Sequence, residues 1–295
     1  MCLRVSVVTP LISPFGDTRQ TAAIGRTARL ELAFERRRGR TVLAHSYAEP
    51  PFRAARTFDL EGAAYAILVC AGPGVFGGDA LTASVHVGRG ARVVLASQAA
   101  LQAHPSALPT DAPALLRHSY IVEDAGELHC QWDPLIPFAR ARVDQRFDIQ
   151  VAASGRVYWS DALIAGRVSR GEAWQFISLA HDLSLRIGGR LAYLERYAIA
   201  PADRLIDRAW IGGGCTHFAT SVTCHPDVTR ETVEQLQTRL GAATEVAAGI
   251  DLVEPSLSVA RIMTANGASF GALRASYREW TLATIFRRPE LRGRK

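Results

Sequence analysis

Residues 72–96 read Gly72-Pro73-Gly74-Val75-Phe76-Gly77-Gly78-Asp79-Ala80-Leu81-Thr82-Ala83-Ser84-Val85-His86-Val87-Gly88-Arg89-Gly90-Ala91-Arg92-Val93-Val94-Leu95-Ala96. The opening spells G-x-G-x-x-G, the spacing of a dinucleotide fingerprint. That motif needs a helix directly after it, whose N-terminus receives the pyrophosphate. Here Leu81, Ala83, Val85 and Val87 alternate with Thr82, Ser84 and His86, the two-residue period of a half-buried strand. Pro73 also removes one N–H that a phosphate cradle would use. The motif is therefore a glycine turn that sets Asp79 at the mouth of a strand. Gly88-Arg89-Gly90 then turns the chain into Arg92–Ala96, which predicts a hairpin.

The same style extends in both directions. Residues 29–34, 41–44, 53–58, 64–69, 118–122, 127–131, 142–151, 156–164, 174–178, 183–187 and 191–198 are strand candidates, with Gly188-Gly189 a second predicted hairpin turn. Many short strands at near-regular spacing predict an all-β sandwich, barrel or coiled sheet stack. Helices are expected only in the last third. Asp227 or Thr229 can cap a helix whose apolar face is Val233, Leu236 and Leu240. A second runs from about Ser269 to Phe286, with Phe270, Leu273, Tyr277 and Trp280 on one stripe that suits core or a partner interface. No repeat of fixed period and no linker stands out, so one domain over 1–295 is expected, with residues 1–25 a loosely ordered arm.

The chain has 295 residues, 48% hydrophobic and 21% charged, and a formal charge of +6 carried almost wholly by arginine. Lys295 is the one lysine. Arginine clusters at 36–38 and 287–288 lack the interleaved aromatics of a nucleic-acid surface, so no nucleic-acid partner is expected. The five cysteines have no C-x-x-C spacing, which fits a reducing compartment. No apolar run approaches membrane-spanning length and the first ten residues lack a secretory layout, so a cytoplasmic protein with no membrane contact is expected.

The order of motifs resembles the urease accessory proteins of the UreD/UreH family. The matching pieces are Gly77-Gly78-Asp79, Ser97-Gln98-Ala99-Ala100, Gly126-Glu127-Leu128, Trp132-Asp133-Pro134, Asp161-Ala162-Leu163, Gly166-Arg167 and Arg170-Gly171-Glu172. The resemblance implies an elongated, mainly β fold, β-helical or sandwich-like, with about two helices in the C-terminal third. It implies a non-enzymatic scaffold that binds UreF-type and UreG-type partners and apo-urease during GTP-dependent nickel insertion. The GTPase is the partner, because this chain has no G-x-x-x-x-G-K-[ST].

Within those motifs Asp79, Ser97, Gln98, Glu127, Asp133, Asp161 and Glu172 are candidates for lining a nickel path. Nickel accepts carboxylate, water and imidazole, and transient passage needs weak sites that also release. A transient nickel ion and no tightly bound cofactor are expected. The bland alternative makes each acid a turn former or an ion-pair partner of an arginine such as Arg167 or Arg170. Cys215, His217, Cys224 and His225 form the one local soft-ligand cluster, although their spacing matches no standard zinc pattern. Two other readings are a carboxylate-dependent hydrolase using Asp161 and Glu172, and an independent nickel store.

Overall fold

The computed structural model describes residues 25–54, 56–105, 112–203, 206, 208, 212–243 and 246–292. The expected N-terminal arm, apart from Gly25, lies outside them. The chain enters through a hairpin, β1 (Thr27–Arg37) and β2 (Arg40–Ala48). Short strands β3 (Phe52–Ala54) and β4 (Phe58–Leu60), in place of one strand over 53–58, lead into β5 (Ala63–Cys70). Then follow β6 (Val75–Phe76), β7 (Ala80–Val87), β8 (Arg92–Ser97), β9 (Leu101–His104), β10 (Ala114–Val122), β11 (Glu127–Gln131) and β12 (Leu135–Pro137). Four long strands come next: β13 (Arg142–Val151), β14 (Arg156–Ile164), β15 (Ser178–Ile187) and β16 (Arg190–Ile199). The C-terminal third holds β17 (His217–Cys224), α1 (Arg230–Gly241), β18 (Ala247–Glu254), β19 (Leu257–Thr264) and α2 (Gly267–Thr281).

The protein is mainly β, as expected, and its two α-helices fall where the sequence places them. The long strands form two sheets, ordered β16-β15-β13-β10-β7-β1-β2 and β18-β19-β17-β14-β11-β8-β5-β3. Between β5 and β15 the chain alternates between them. Strands β7, β10, β13 and β15 run parallel in the first sheet, and β5, β8, β11 and β14 run parallel in the second. This winding overturns the hairpin expected over residues 81–96. Strands β7 and β8 belong to different sheets, and residues 88–91 carry the chain across the core. The Gly188-Gly189 hairpin does form, pairing β15 with β16 antiparallel. Trp174 sits in a turn at φ +62°, so the strand expected from 174 begins at Ser178.

Burial explains the two hydrophobic styles in the sequence. The inner faces of both sheets meet in one core that includes Leu30, Val85, Leu95, Tyr120, Ile149 and Trp159. The first sheet has no layer over its outer face among the described residues, so β7 alternates. The second sheet is covered by helices, so β8 keeps Val93, Val94 and Leu95 wholly buried on both faces. Thr229 caps α1 through a reciprocal bond with Thr232, and Asn266 caps α2 by accepting from the N–H groups of Ala268 and Ser269. Phe270, Leu273 and Tyr277 are 3%, 7% and 1% exposed and pack with Tyr158, Ala219 and Ile262 in this second core. The stripe read as a partner surface is thus internal. Each such aromatic or leucine stabilises the docked helix by roughly 1.5–3 kcal/mol through the apolar surface it removes from water against the chain's own sheet. Trp280 is half-buried beside it, with Arg239 over its ring.

The glycine motif is structural. Gly74 sits at φ +128°, and a Cβ there would lie 2.1 Å from the carbonyl oxygen of Gln102. Gly74→Ala is expected to cost at least about 2 kcal/mol, since strain and a backbone clash add. Chemical denaturation checks this, and an unchanged midpoint would refute the close approach.

Candidate functional site

The turns that carry the chain from the first sheet to the second occupy one end of the stack. Their backbones bond to one another: Glu123 N–H donates to Val87 O, and Arg156 N–H to Gly126 O. At the other end the returning connections are longer, and the sheets part around a cavity of 490 Å³. Ser97, Gln98, Asp133 and Asp161 all line it, together with His118 and Gln145. The sequence candidates thus divide, and four of the seven path residues meet on one interior space.

Asp133 enters the cavity just after β11 and is fixed by Ser97 at the end of β8. The Ser97 hydroxyl donates to Asp133 Oδ2 at 2.8 Å, and the Asp133 N–H donates to Ser97 Oγ at 2.7 Å. The parallel neighbours β8 and β11 bring the two together. Asp161 projects from the middle of β14 and is 8% exposed. Burial pushes its carboxyl up to about 6, with Glu195 adding to the effect and His181 opposing it. His181 Nδ1 lies 3.8 Å from Asp161 Oδ2 but 2.7 Å from Gln145 Nε2, which donates to it. No side chain among the described residues is within hydrogen-bonding distance of the Asp161 carboxylate. It is an acid held in the interior without a firm partner.

Each of the two carboxylates lines a second space as well. Asp161 also lines a 290 Å³ space at the seam between β16 and β17, shared with Glu195 and Arg261. Asp133 also lines a 580 Å³ groove under α2. Sequence reasoning missed Glu195, His118 and Gln145. A signal was present in that Glu195 keeps parity with Tyr193 and Tyr197, an acid on the inward face of β16. Glu195 accepts from Thr220 Oγ1 at 3.2 Å and pairs with Arg261 at 3.0 Å.

The other candidates lie elsewhere. Asp79 is 3% exposed and closes its own turn, accepting from the Arg26 and Phe76 N–H groups and from the Arg26 guanidinium at 2.7 Å. Glu172 is held by the Arg167 guanidinium, whose Nε donates at 2.7 Å, and itself lines neither cavity reached by Asp161. Asp161 and Glu172 therefore do not flank a common cleft, and the acid pair of a hydrolase is not assembled. Glu127 begins β11 at the turn end, with His129 Nε2 donating to it at 2.7 Å and Arg92 Nε forming an ion pair with it at 3.4 Å. Burial alone would raise its pKa, but the His129 bond and the arginines outweigh it and hold it at about 2. His217 and Cys224 occupy opposite ends of β17, roughly 23 Å apart at 3.3 Å per residue. The soft-ligand cluster thus falls into separate pairs, and no group of three or more metal-ligating side chains gathers among the described residues.

These features define a class, a two-sheet β scaffold with acid-lined interior cavities. The family model described as "UreD urease accessory protein" matches residues 26–294, and the chain belongs to that family. It is similar to the urease accessory protein UreD of Acetivibrio thermocellus, 27% identical over 81% of this chain and 91% of the relative. The UreD of Deinococcus radiodurans is 29% identical over 82% and 86% respectively. The UreD of Sorangium cellulosum is 33% identical over 60% of this chain and 56% of its own length, and the match to the Trichodesmium erythraeum relative spans half of that protein. The relatives are accessory proteins, and the family places this chain in urease maturation. No described helix is long and apolar enough to cross a membrane.

Proposed function

We propose that this chain is a non-catalytic cytoplasmic scaffold that binds UreF-type and UreG-type partners and apo-urease. In that assembly it gives nickel a transient route toward the urease active site in the GTP-dependent step. The observation that carries the reading is the inter-sheet cavity that shares a lining acid with each of two neighbouring spaces, buried Asp161 with one and half-buried Asp133 with the other. A divalent ion in such a space is attracted by a carboxylate, yet it meets too few fixed ligands to be trapped. Ser97 holds Asp133 in place, and Asp161 has no hydrogen-bonding side chain to displace. The nickel ion is cargo here, and no resident cofactor is required.

Co-expression of apo-urease and the other accessory proteins with and without this chain tests the role. Omission is expected to lower urease nickel content and activity at least tenfold. Equal nickel in both preparations would remove the assignment. Asp133→Ala at matched expression is expected to reduce nickel content severalfold while the partners still co-purify, which separates the route from assembly.

A further inference from the structure

The inter-sheet cavity is a negatively charged chamber with mostly apolar walls. Exposed Gly72, Pro73, Gln98 and Ala99 line its mouth, and buried Gln145, Phe147 and Asp161 line its interior. Its described lining includes two carboxylates, Asp133 and Asp161, and no lysine or arginine. Burial pushes the His118 ring down to about 4, so that side chain brings no positive charge at neutral pH. Asp161 is 8% exposed, and the cationic side chains nearest it bond elsewhere. His181 Nδ1, 3.8 Å away, accepts from Gln145 Nε2, and Arg274 Nη2 donates to Trp132 O and Ser160 Oγ. Burying a carboxylate without a hydrogen-bonded donor is costly, so one that lines a cavity leaves a position for a cation that brings N–H groups.

The walls set what that cation must carry. Leu30, Phe52, Leu68, Leu81 and Leu116 supply apolar surface, and Trp132 and Phe147 meet around His118 with ring centroids 5.3 Å and 5.0 Å from it. Trp132 Nε1 donates to Tyr120 Oη at 2.9 Å, which fixes the indole. Gln145 commits its Nε2 to His181, and its Oε1 accepts no hydrogen bond from a described residue. The cavity thus has a second free acceptor, on a side chain that shares His181 with Asp161. Its 490 Å³ lies within the roughly 300–1,000 Å³ of small-molecule sites. A bare metal ion would use the acids alone, whereas an organic cation would also bury its body against these walls. An amidinium presents a planar pair of N–H donors that meets a carboxylate two-to-two, as a guanidinium does.

We propose that the inter-sheet cavity binds a small organic monocation of the amidinium class, with its N–H pair on the Asp161 carboxylate and its apolar body against Trp132 and Phe147. The site shares its cavity with the nickel route but does not rest on it, because binding is read on the chain alone, without metal or partners. Purified full-length chain is heated at pH 7.5 in benzamidine hydrochloride against sodium chloride at equal ionic strength. Tm is expected to rise saturably, by about 3 °C at ten times the half-saturating benzamidine concentration. Benzamide has the same ring without the charge and is expected to bind at least about tenfold more weakly. Asp161→Asn is expected to raise the half-saturating benzamidine concentration by at least about tenfold. Ala83→Leu extends into this cavity from β7 and not into the seam space beside Glu195, and it is expected to weaken binding similarly. Asp161→Asn decides by itself if Ala83→Leu does not fold. A Tm linear in benzamidine, no benzamidine effect, equal binding of benzamide, or an affinity that survives either substitution overturns the site.

Discussion

Glu127→Ala is expected to destabilise the fold by roughly 3 kcal/mol, the cost of removing a buried carboxylate from half-buried Arg92, the more exposed Arg156 and the buried His129 ring that bonds it. The argument rests on register. Arg92, Glu127 and Arg156 each follow a sheet-to-sheet turn, and parallel pairing sets Glu127 directly between the other two. Its carboxylate is 4% exposed and reaches Arg92 at 3.4 Å and Arg156 at 3.7 Å. It also accepts from His129, whose ring is fully buried against Phe286 at the end of the C-terminal helical segment. The single acid thus ties three coils and the docked C-terminus together. The pH dependence follows from a pKa held at about 2 against an ordinary 4.5. A carboxylate with a depressed folded pKa stabilises above its unfolded value, and that contribution, roughly 3 kcal/mol, is lost as pH falls from about 4.5 toward 2. His129, lowered by burial, acts in the same direction, because acid must charge a ring that the fold keeps neutral. Urea denaturation at pH 7 and pH 3 should show a large deficit for the variant at the first and a small one at the second. A deficit under 1 kcal/mol at pH 7 would discard the network as a structural tie.

That network was open to view in the sequence and was not seen. Val87, Val122 and Val151 each precede a turn that ends in a small residue and then a charge: Ala91-Arg92, Gly126-Glu127 and Gly155-Arg156. The turns recur at unequal spacing because the return connections at the cavity end differ in length, so no fixed period shows. Strand positions were legible because side-chain parity is local. Sheet membership was not, since Gly88-Arg89-Gly90 between two strands reads alike whether the second strand pairs with the first or crosses a core. The continuous run Val93–Ala96 was the clue that β8 is covered on both faces. The helical stripe Phe270, Leu273 and Tyr277 was correctly placed, but periodicity cannot say whether the buried face meets the chain's own sheet or another protein. Of the path acids, Asp133 and Asp161 share a cavity because strands distant in sequence are neighbours in the sheet. Glu195 joins them from a hairpin that lies outside the motifs carrying the family likeness.

Asp161→Asn is expected to make the protein more stable and worse at its task. The carboxyl's folded pKa, about 6, lies above its ordinary 3.8. For a raised carboxyl the sign is the reverse of the Glu127 case. Folding favours the protonated form, that contribution is full below about pH 4, and it is lost as pH rises through 6. Above pH 6 the wild-type chain therefore bears the cost of a buried anion, roughly 2–3 kcal/mol from the size of the displacement. Asparagine is neutral throughout and nearly isosteric, so the variant should match the wild type near pH 4 and exceed it by that amount at pH 7.5. A purely structural acid gives the opposite result, as Glu127 does. The interior charge has one physical use on the proposed route, which is to hold a passing divalent cation beside the inter-sheet cavity and the seam space of Glu195, both of which Asp161 lines. Removing the charge should lower urease nickel content about tenfold in the co-expression system, with partner binding intact. Stability raised but nickel content unchanged would detach Asp161 from the route, and stability lowered at pH 7.5 would show that the carboxylate is held by interactions that the cavity geometry does not contain.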